Sequence, residues 1–148
     1  MRTETILVLE TSLDDTQPQV IGYVLEQALA QGALDAYVLP AQMKKQRPGV
    51  VLTVLARPEQ REPLLELLLR ETSTLGVRVT HCERVVAERR QVQVATAFGP
   101  IRVKAAEGGK AAPEYEDCRA AALRYRVPLR QVMAAAQSAF DTSQVTDL

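Results

Sequence analysis

Pro18-Gln-Val-Ile-Gly-Tyr-Val-Leu-Glu-Gln-Ala-Leu-Ala-Gln-Gly32 decides how the chain begins to fold. Ile21, Val24, Leu25, Ala28 and Leu29 recur at i, i+3, i+4, i+7 and i+8, the apolar stripe of an amphipathic helix. Proline suits the first turn, where its missing N–H is not needed, and Gly32 stops the helix. Before it, residues 4–10 (Glu-Thr-Ile-Leu-Val-Leu-Glu) form a β-rich run, and Thr11 to Gln17 reads as a polar loop. After it, Ala33 to Pro40 reads as a second strand and residues 50–56 as a third, whose apolar residues on both faces mark a central position. Leucine-rich 62–70 reads as a second helix starting at or just before Pro63, and Val77 to Glu88 resumes strand character. The order β-α-β-β-α-β predicts an α+β domain over residues 1–88, a ferredoxin-like sandwich with two helices on one face of an antiparallel sheet.

Residues 89–140 read as a small α/β appendage. Val92, Val94 and Thr96 alternate, Phe98-Gly99-Pro100 turns, and Ile101, Val103 and Ala105 alternate again, which predicts a β-hairpin with Arg102 and Lys104 on its opposite face. Glu107-Gly-Gly-Lys110 reads as a flexible link, and Pro113 starts a helix with acidic residues in its first turn, where the dipole favours them. Tyr115, Cys118, Ala122 and Tyr125 form its inner stripe, and Val127-Pro128 breaks it. Leu129, Val132, Met133, Ala136 and Phe140 stripe a last helix, and residues 141–148 are expected to form a disordered tail.

Composition excludes several classes of function. The chain has 148 residues, 47% of them hydrophobic, yet no apolar run approaches the roughly eighteen residues of a membrane span. Its start carries an acidic residue inside a short apolar stretch, so it reads as a strand rather than a signal peptide, and a cytoplasmic location is expected. Cys82 and Cys118 stand far apart with no Cys-x-x-Cys, which suggests reduced, packed thiols rather than a disulfide framework or zinc site. Eighteen basic residues balance eighteen acidic ones, and aromatic residues make up only 4%, so neither a general polyanion surface nor a base-stacking platform is expected. Charge-driven function must be local.

Three loops carry such local chemistry. Glu10-Thr-Ser-Leu-Asp-Asp15 places two adjacent carboxylates and two hydroxyls ahead of a helix, hard oxygen donors suited to Mg2+ or Mn2+ carrying a phosphate chain. Taken alone, such a pair is more often an Asx turn or an N-cap. Lys44-Lys-Gln-Arg-Pro-Gly49 offers three cations within four residues, point charges plus a bidentate fork, the combination a polyphosphate calls for, although basic loops are often merely solvated. Glu71-Thr-Ser-Thr-Leu-Gly-Val-Arg78 crowds hydroxyls and a glycine between helix and strand, where donors can hold an anion and Glu71 can reach a metal or a ribose hydroxyl; alone, it reads better as a helix stop. His81 has no partner in sequence and is given no chemistry.

Asp14-Asp15, Gly32-Ala-Leu-Asp35, Met43-Lys-Lys-Gln-Arg-Pro-Gly49, Glu71 to Arg78 and Pro113-Glu-Tyr-Glu-Asp-Cys118, in that order, closely resemble the C-terminal half of the LarC family over roughly residues 4–135. These are the nickel insertion proteins that complete the nickel-pincer nucleotide cofactor of lactate racemase. The resemblance implies a CTP-dependent cyclometallase of the lyase class that places Ni2+, its substrate metal, into pyridinium-3,5-bisthiocarboxylic acid mononucleotide, with this half binding CTP together with Mn2+ or Mg2+. Carried over by residue, Lys44, Lys45 and Arg47 would grip phosphates and Asp14 or Asp15 would hold the metal; Thr72, Thr74, Arg78 and Lys104, with Glu71 toward the metal, follow in second rank.

The chain departs from the family pattern in four places. Ser12 and Thr16 replace the asparagine and methionine that flank the paired aspartates, Gln19 replaces a glutamate after Pro18, and Gln46 replaces a glycine in the basic loop. The family's N-terminal half is missing, which implies a fragment, a separately encoded half or a stand-alone relative. The resemblance also implies a homo-oligomer, a trimer or hexamer. Two other classes stand beside it: a non-catalytic ferredoxin-like regulatory module, and a helix-turn-helix around Val127-Pro128, which the zero net charge disfavours. No nucleic-acid or membrane partner is expected.

Overall fold

The computed structural model describes residues 1–106 and 109–146. They divide into two compact units, Thr3–Val85 and the residues from Val86 onward together with Met1–Arg2.

The first unit is built from β1 (Arg2–Leu13), α1 (Pro18–Ala30), β2 (Asp35–Gln42), β3 (Pro48–Ala56), α2 (Arg61–Glu71) and β4 (Arg78–Val86). Its four strands lie in the order β2-β3-β1-β4, so the α+β sandwich expected from the sequence is the one observed. Leu7, Leu9, Thr11 and Leu13 alternate onto one face of β1 and are all buried. The three leucines meet Leu52, Val54 and Ala56 of β3 and, from the helices, Val24, Ala28, Leu64, Leu67 and Leu68. Each leucine buried in this way contributes roughly 1.5–3 kcal/mol. The Gly32 reading is met in detail: with φ +90 it turns the chain as Gly32 N–H donates to Leu29 O and Ala33 N–H to Ala28 O, each at 3.0 Å, a Schellman ending. Leu29, placed on the inner stripe by periodicity, is half exposed, because Val24 and Ala28 set the face that docks.

Among the boundaries that differ from the expectation, two shape the loops at one end of the sheet. Thr11 to Leu13 belong to β1 rather than to a polar loop, because Leu13 still pairs with Val50 in the antiparallel register that begins at Leu7 and Ala56. The basic loop is a single 3-10 turn, Lys44–Gln46, closed by Met43 N–H donating to Arg47 O at 2.8 Å; Pro48 and Gly49 already belong to β3, opposite Gln42 and Ala41.

The second unit holds β5 (Arg89–Thr96), β6 (Gly99–Ala106), β7 (Lys110–Pro113), α3 (Tyr115–Tyr125) and α4 (Leu129–Thr146), with sheet order β5-β6-β7. The hairpin is present, but its loop is Ala97-Phe98, and Gly99, at φ +91, already pairs with Thr96. Of the expected link, Glu107 and Gly108 lie outside the described residues, whereas Lys110 to Pro113 form a third strand opposite Val103 to Ala106, so α3 starts at Tyr115 instead of Pro113. Cys118 and Ala121 bury the inner face of α3 while Tyr115 and Tyr125 are exposed; Val132, Ala136 and Phe140 bury that of α4 and leave Met133 partly outside. Burial, and then the Asp117 charge, push the Cys118 thiol up, so it stays protonated and behaves as a packing group. The tail expected from Asp141 is instead helical through Thr146: Phe140 is buried, Gln137 Nε2 donates to Asp141 Oδ1 at 2.9 Å and Thr142 Oγ1 to Ser138 O at 2.9 Å, which carries the helix on. Asp147 and Leu148 lie outside the described residues.

Candidate functional site

Antiparallel pairing brings the end of β1 beside the start of β3, and the end of β2 beside it on the other side. The turn after β1, the 3-10 turn between β2 and β3, and the loop between α2 and β4 therefore meet at one end of the first sheet. They enclose a cleft of about 510 Å³ lined by Ser12, Asp14, Asp15, Met43, Lys44, Ser73, Thr74 and Leu75.

Gly49 permits the approach. A Cβ there would stand 2.6 Å from Leu13 O, 2.9 Å from Met43 Cγ and 3.2 Å from Asp14 Cβ, so any larger residue would push β3 away from the aspartate turn. The hydroxyls hold the third loop in place. Ser73 Oγ donates to Asp15 Oδ1 and lies 2.6 Å from Thr16 Oγ1, which also accepts from Ser73 N–H at 3.3 Å. Behind them Thr11 Oγ1 lies 2.5 Å from Thr74 Oγ1 and 3.1 Å from Gly76 O.

The cleft is charged with both signs. Arg47 Nη1 pairs with Asp14 Oδ2 at 3.5 Å, whereas Lys44 and Lys45 pair with no carboxylate among the described residues. Lys45 and Gln46 take left-handed backbone conformations, φ 59 and φ 61, which close the turn tightly.

Of the residues expected to act, Asp14, Asp15, Lys44 and Thr74 line the cleft, and Lys45 and Arg47 belong to the turn that borders it. Arg78 reaches Ser12 Oγ at 3.5 Å from the start of β4. Thr72 Oγ1 donates to Leu68 O at 2.7 Å and caps α2, Glu71 accepts from Arg70 Nε at 2.8 Å, and neither is among the residues that line the cleft. Lys104 belongs to the second unit, with Nζ 2.7 Å from Glu114 Oε1. The sequence reading placed Thr11, Thr16, Gly49 and Ser73 in its loops but counted none of them among the site residues. Thr11 carries the one available signal, a hydroxyl at an inward position that alternates with Leu7, Leu9 and Leu13.

Among the described residues no three His, Cys, Asp or Glu side chains gather as a metal-ligand group. The donor set at the cleft is thus two hard carboxylates with hydroxyls. It fits a hard divalent ion that keeps waters and takes further oxygens from a phosphate, and it does not fit a closed all-protein cage. Nor is any helix among the described residues long and apolar enough to cross a membrane.

Comparison with known proteins agrees across the chain. The family model described as nickel insertion protein matches residues 1–133. The pyridinium-3,5-bisthiocarboxylic acid mononucleotide nickel insertion protein of Acetivibrio thermocellus is 45% identical over 139 residues, which cover 92% of this chain and 34% of that relative. A putative nickel insertion protein of Myxococcus xanthus is 48% identical over 92% of this chain and 36% of its own length. The chain thus spans about a third of the curated relatives it matches. Among solved structures, LarC2, the C-terminal domain of a cyclometallase involved in synthesis of the NPN cofactor of lactate racemase, superposes with a TM-score of 0.89 at 39% identity, covering 95% of this chain and 99% of that domain. A Methanopyrus kandleri protein, 24% identical with a TM-score of 0.58 over 92% of this chain and 88% of its own, shares the fold alone.

Proposed function

This chain belongs to the nickel insertion protein family, and from that membership we propose that its first unit carries the nucleotide cleft of a nickel insertase, taking CTP together with Mn2+ or Mg2+. The observation that carries the reading is the convergence of Asp14, Asp15, Lys44, Ser73 and Thr74 on one cleft, with Lys45 and Arg47 in the bordering turn. Asp14 and Asp15 would hold the divalent ion, directly or through water. When bound, the ion neutralises part of the charge of the phosphate chain. Lys44 and Lys45 supply point charges for the remainder, and Arg47, already turned toward Asp14, supplies a planar fork. Met43 and the fully exposed Leu75 give the apolar surface on which a base can rest.

In the whole family protein, of which this chain spans about a third, the same cleft would serve metallation of pyridinium-3,5-bisthiocarboxylic acid mononucleotide, with Ni2+ as substrate and the N-terminal half completing the reaction. A cytoplasmic homo-oligomer, trimeric or hexameric, is part of the same proposal.

Thermal unfolding of the purified chain with each of the four ribonucleoside triphosphates, with and without Mn2+ or Mg2+, tests it. A ligand at a hundred times its dissociation constant adds about 2.7 kcal/mol of stability. The expected result is stabilisation by CTP that requires the metal and disappears in Asp14→Asn and Lys44→Ala. Equal stabilisation by all four triphosphates would remove the base preference, and no stabilisation by any of them would remove the nucleotide cleft from this unit.

A further inference from the structure

We propose that Thr11 is a positioning residue that, through Thr74, holds the loop from Thr72 to Gly76 as a fixed wall of the cleft. Thr11 stands on the inward face of β1 between Leu9 and Leu13 and is 1% exposed. A hydroxyl in that setting costs free energy unless it is bonded, so its presence on a buried face among leucines calls for a partner. Two contacts of its own answer it, and a third joins their partners. Thr11 Oγ1 lies 2.5 Å from Thr74 Oγ1 and 3.1 Å from Gly76 O, and Thr74 Oγ1 lies 2.8 Å from the same carbonyl. Two hydroxyl protons serve these contacts. They form a relay in which one hydroxyl donates to the other and the second donates to Gly76 O, so both protons are used inside it, while Gly76 N–H, 3.3 Å away, donates to Thr74 Oγ1.

The relay commits Thr74. Its hydroxyl is used inside the loop, so Thr74 borders the cleft without offering a free donor to an anion. Ser73, its neighbour, faces Asp15 instead and bonds that carboxylate. The loop is thus held from behind by a buried hydroxyl and in front by Asp15 and Thr16, and the position of Asp15 depends on both. If the nucleotide reading above holds, losing the rear anchor weakens nucleotide binding without touching any residue that contacts the ligand.

The test uses the full chain with Thr11→Val and Thr11→Ser. Hydrogen exchange of the amides of residues 72–77 is expected to accelerate about tenfold in Thr11→Val, the equivalent of one lost hydrogen bond, with α1 and β3 unchanged. Titration with CTP and Mn2+ below the melting temperature is expected to show affinity about tenfold weaker. Thr11→Ser, which keeps the hydroxyl, is expected to restore both. Unchanged exchange at 72–77, or an acceleration spread evenly over the unit with affinity retained, would overturn the proposal and leave Thr11 a packing residue. A wild-type chain that binds no CTP with Mn2+ would remove the nucleotide reading alone, and exchange at 72–77 would then decide the role of Thr11.

Discussion

Gln46 keeps its backbone at φ 61, in the left-handed region that crowds Cβ against the following carbonyl and costs a side-chain-bearing residue about 1–2 kcal/mol. The resemblance implies glycine at this position, a residue with no Cβ to crowd. Gln46→Gly relieves the crowding and gives back part of the gain as unfolded-state entropy, so its stability should lie between unchanged and about 1 kcal/mol higher. Gln46→Val, branched at Cβ, should lose at least about 1 kcal/mol. Chemical denaturation of the three proteins checks the order Gly, Gln, Val, and a valine variant as stable as wild type would mean that the turn relaxes out of the left-handed region. At Gly49 the constraint is contact rather than φ, since Leu13 O and Asp14 leave no room for a Cβ. Gly49→Ala should cost about 1–3 kcal/mol, as overpacking does, and move the aspartate turn; a melting curve reads the first effect and loss of metal-dependent nucleotide stabilisation the second. The charges of the cleft were legible, because Asp14, Asp15 and Lys44 belong to residue types whose chemistry is explicit. Gly49 and Thr11 were not, because what they do depends on residues far along the chain that only the folded sheet brings near.

At the scale of elements, β6 is tied to the start of α3 by two ion pairs. Arg102 grips Asp117 with Nε to Oδ2 at 2.8 Å and Nη2 to Oδ1 at 2.6 Å, its own N–H adds a bond to Oδ2 at 3.0 Å, and Lys104 pairs with Glu114 one step along the strand. The side-chain bond from Arg102 is the main reason the Asp117 carboxyl falls from 3.8 to about 2. Because the folded value lies below the unfolded one, this pair stabilises the fold above about pH 4, and the contribution is lost as pH falls through about 2. Urea unfolding of wild type and Asp117→Asn should therefore differ most near neutrality and converge between pH 4 and pH 2. A difference that stays constant over that range would show that the Asp117 carboxyl titrates alike in the folded and unfolded chains. Apolar stripes disclosed α1, α3 and α4, and leucine richness disclosed α2. Neither disclosed β7: Lys110-Ala-Ala-Pro113 is short and has no branched or aromatic residue, and only pairing with Val103 to Ala106 makes it a strand.

At the scale of the molecule, the sheet order β2-β3-β1-β4 gathers three loops from distant parts of the sequence at one end of the first unit, and each unit closes a core of its own. The order of elements was enough to predict this topology, since few arrangements satisfy β-α-β-β-α-β with short connections. The two cores make a prediction about where damage registers. Leu67→Ala removes a side chain buried among Leu64, Leu68 and the strands of the first unit, and should cost about 2–5 kcal/mol; Phe140→Ala does the same to the second unit, at about 3–5 kcal/mol. Hydrogen exchange should accelerate in β1, β3 and α2 for the first variant and in β6 and α4 for the second. Equal acceleration in both units from either variant would mean that the chain unfolds as a single cooperative body. Nucleotide binding then separates location from stability. With the cleft formed wholly by residues of the first unit, Phe140→Ala should leave affinity for CTP and Mn2+ within about 0.5 kcal/mol of wild type at temperatures where it is folded. A larger loss there would mean that the second unit takes part in holding the ligand, and would return Lys104 to the set of residues that bind it.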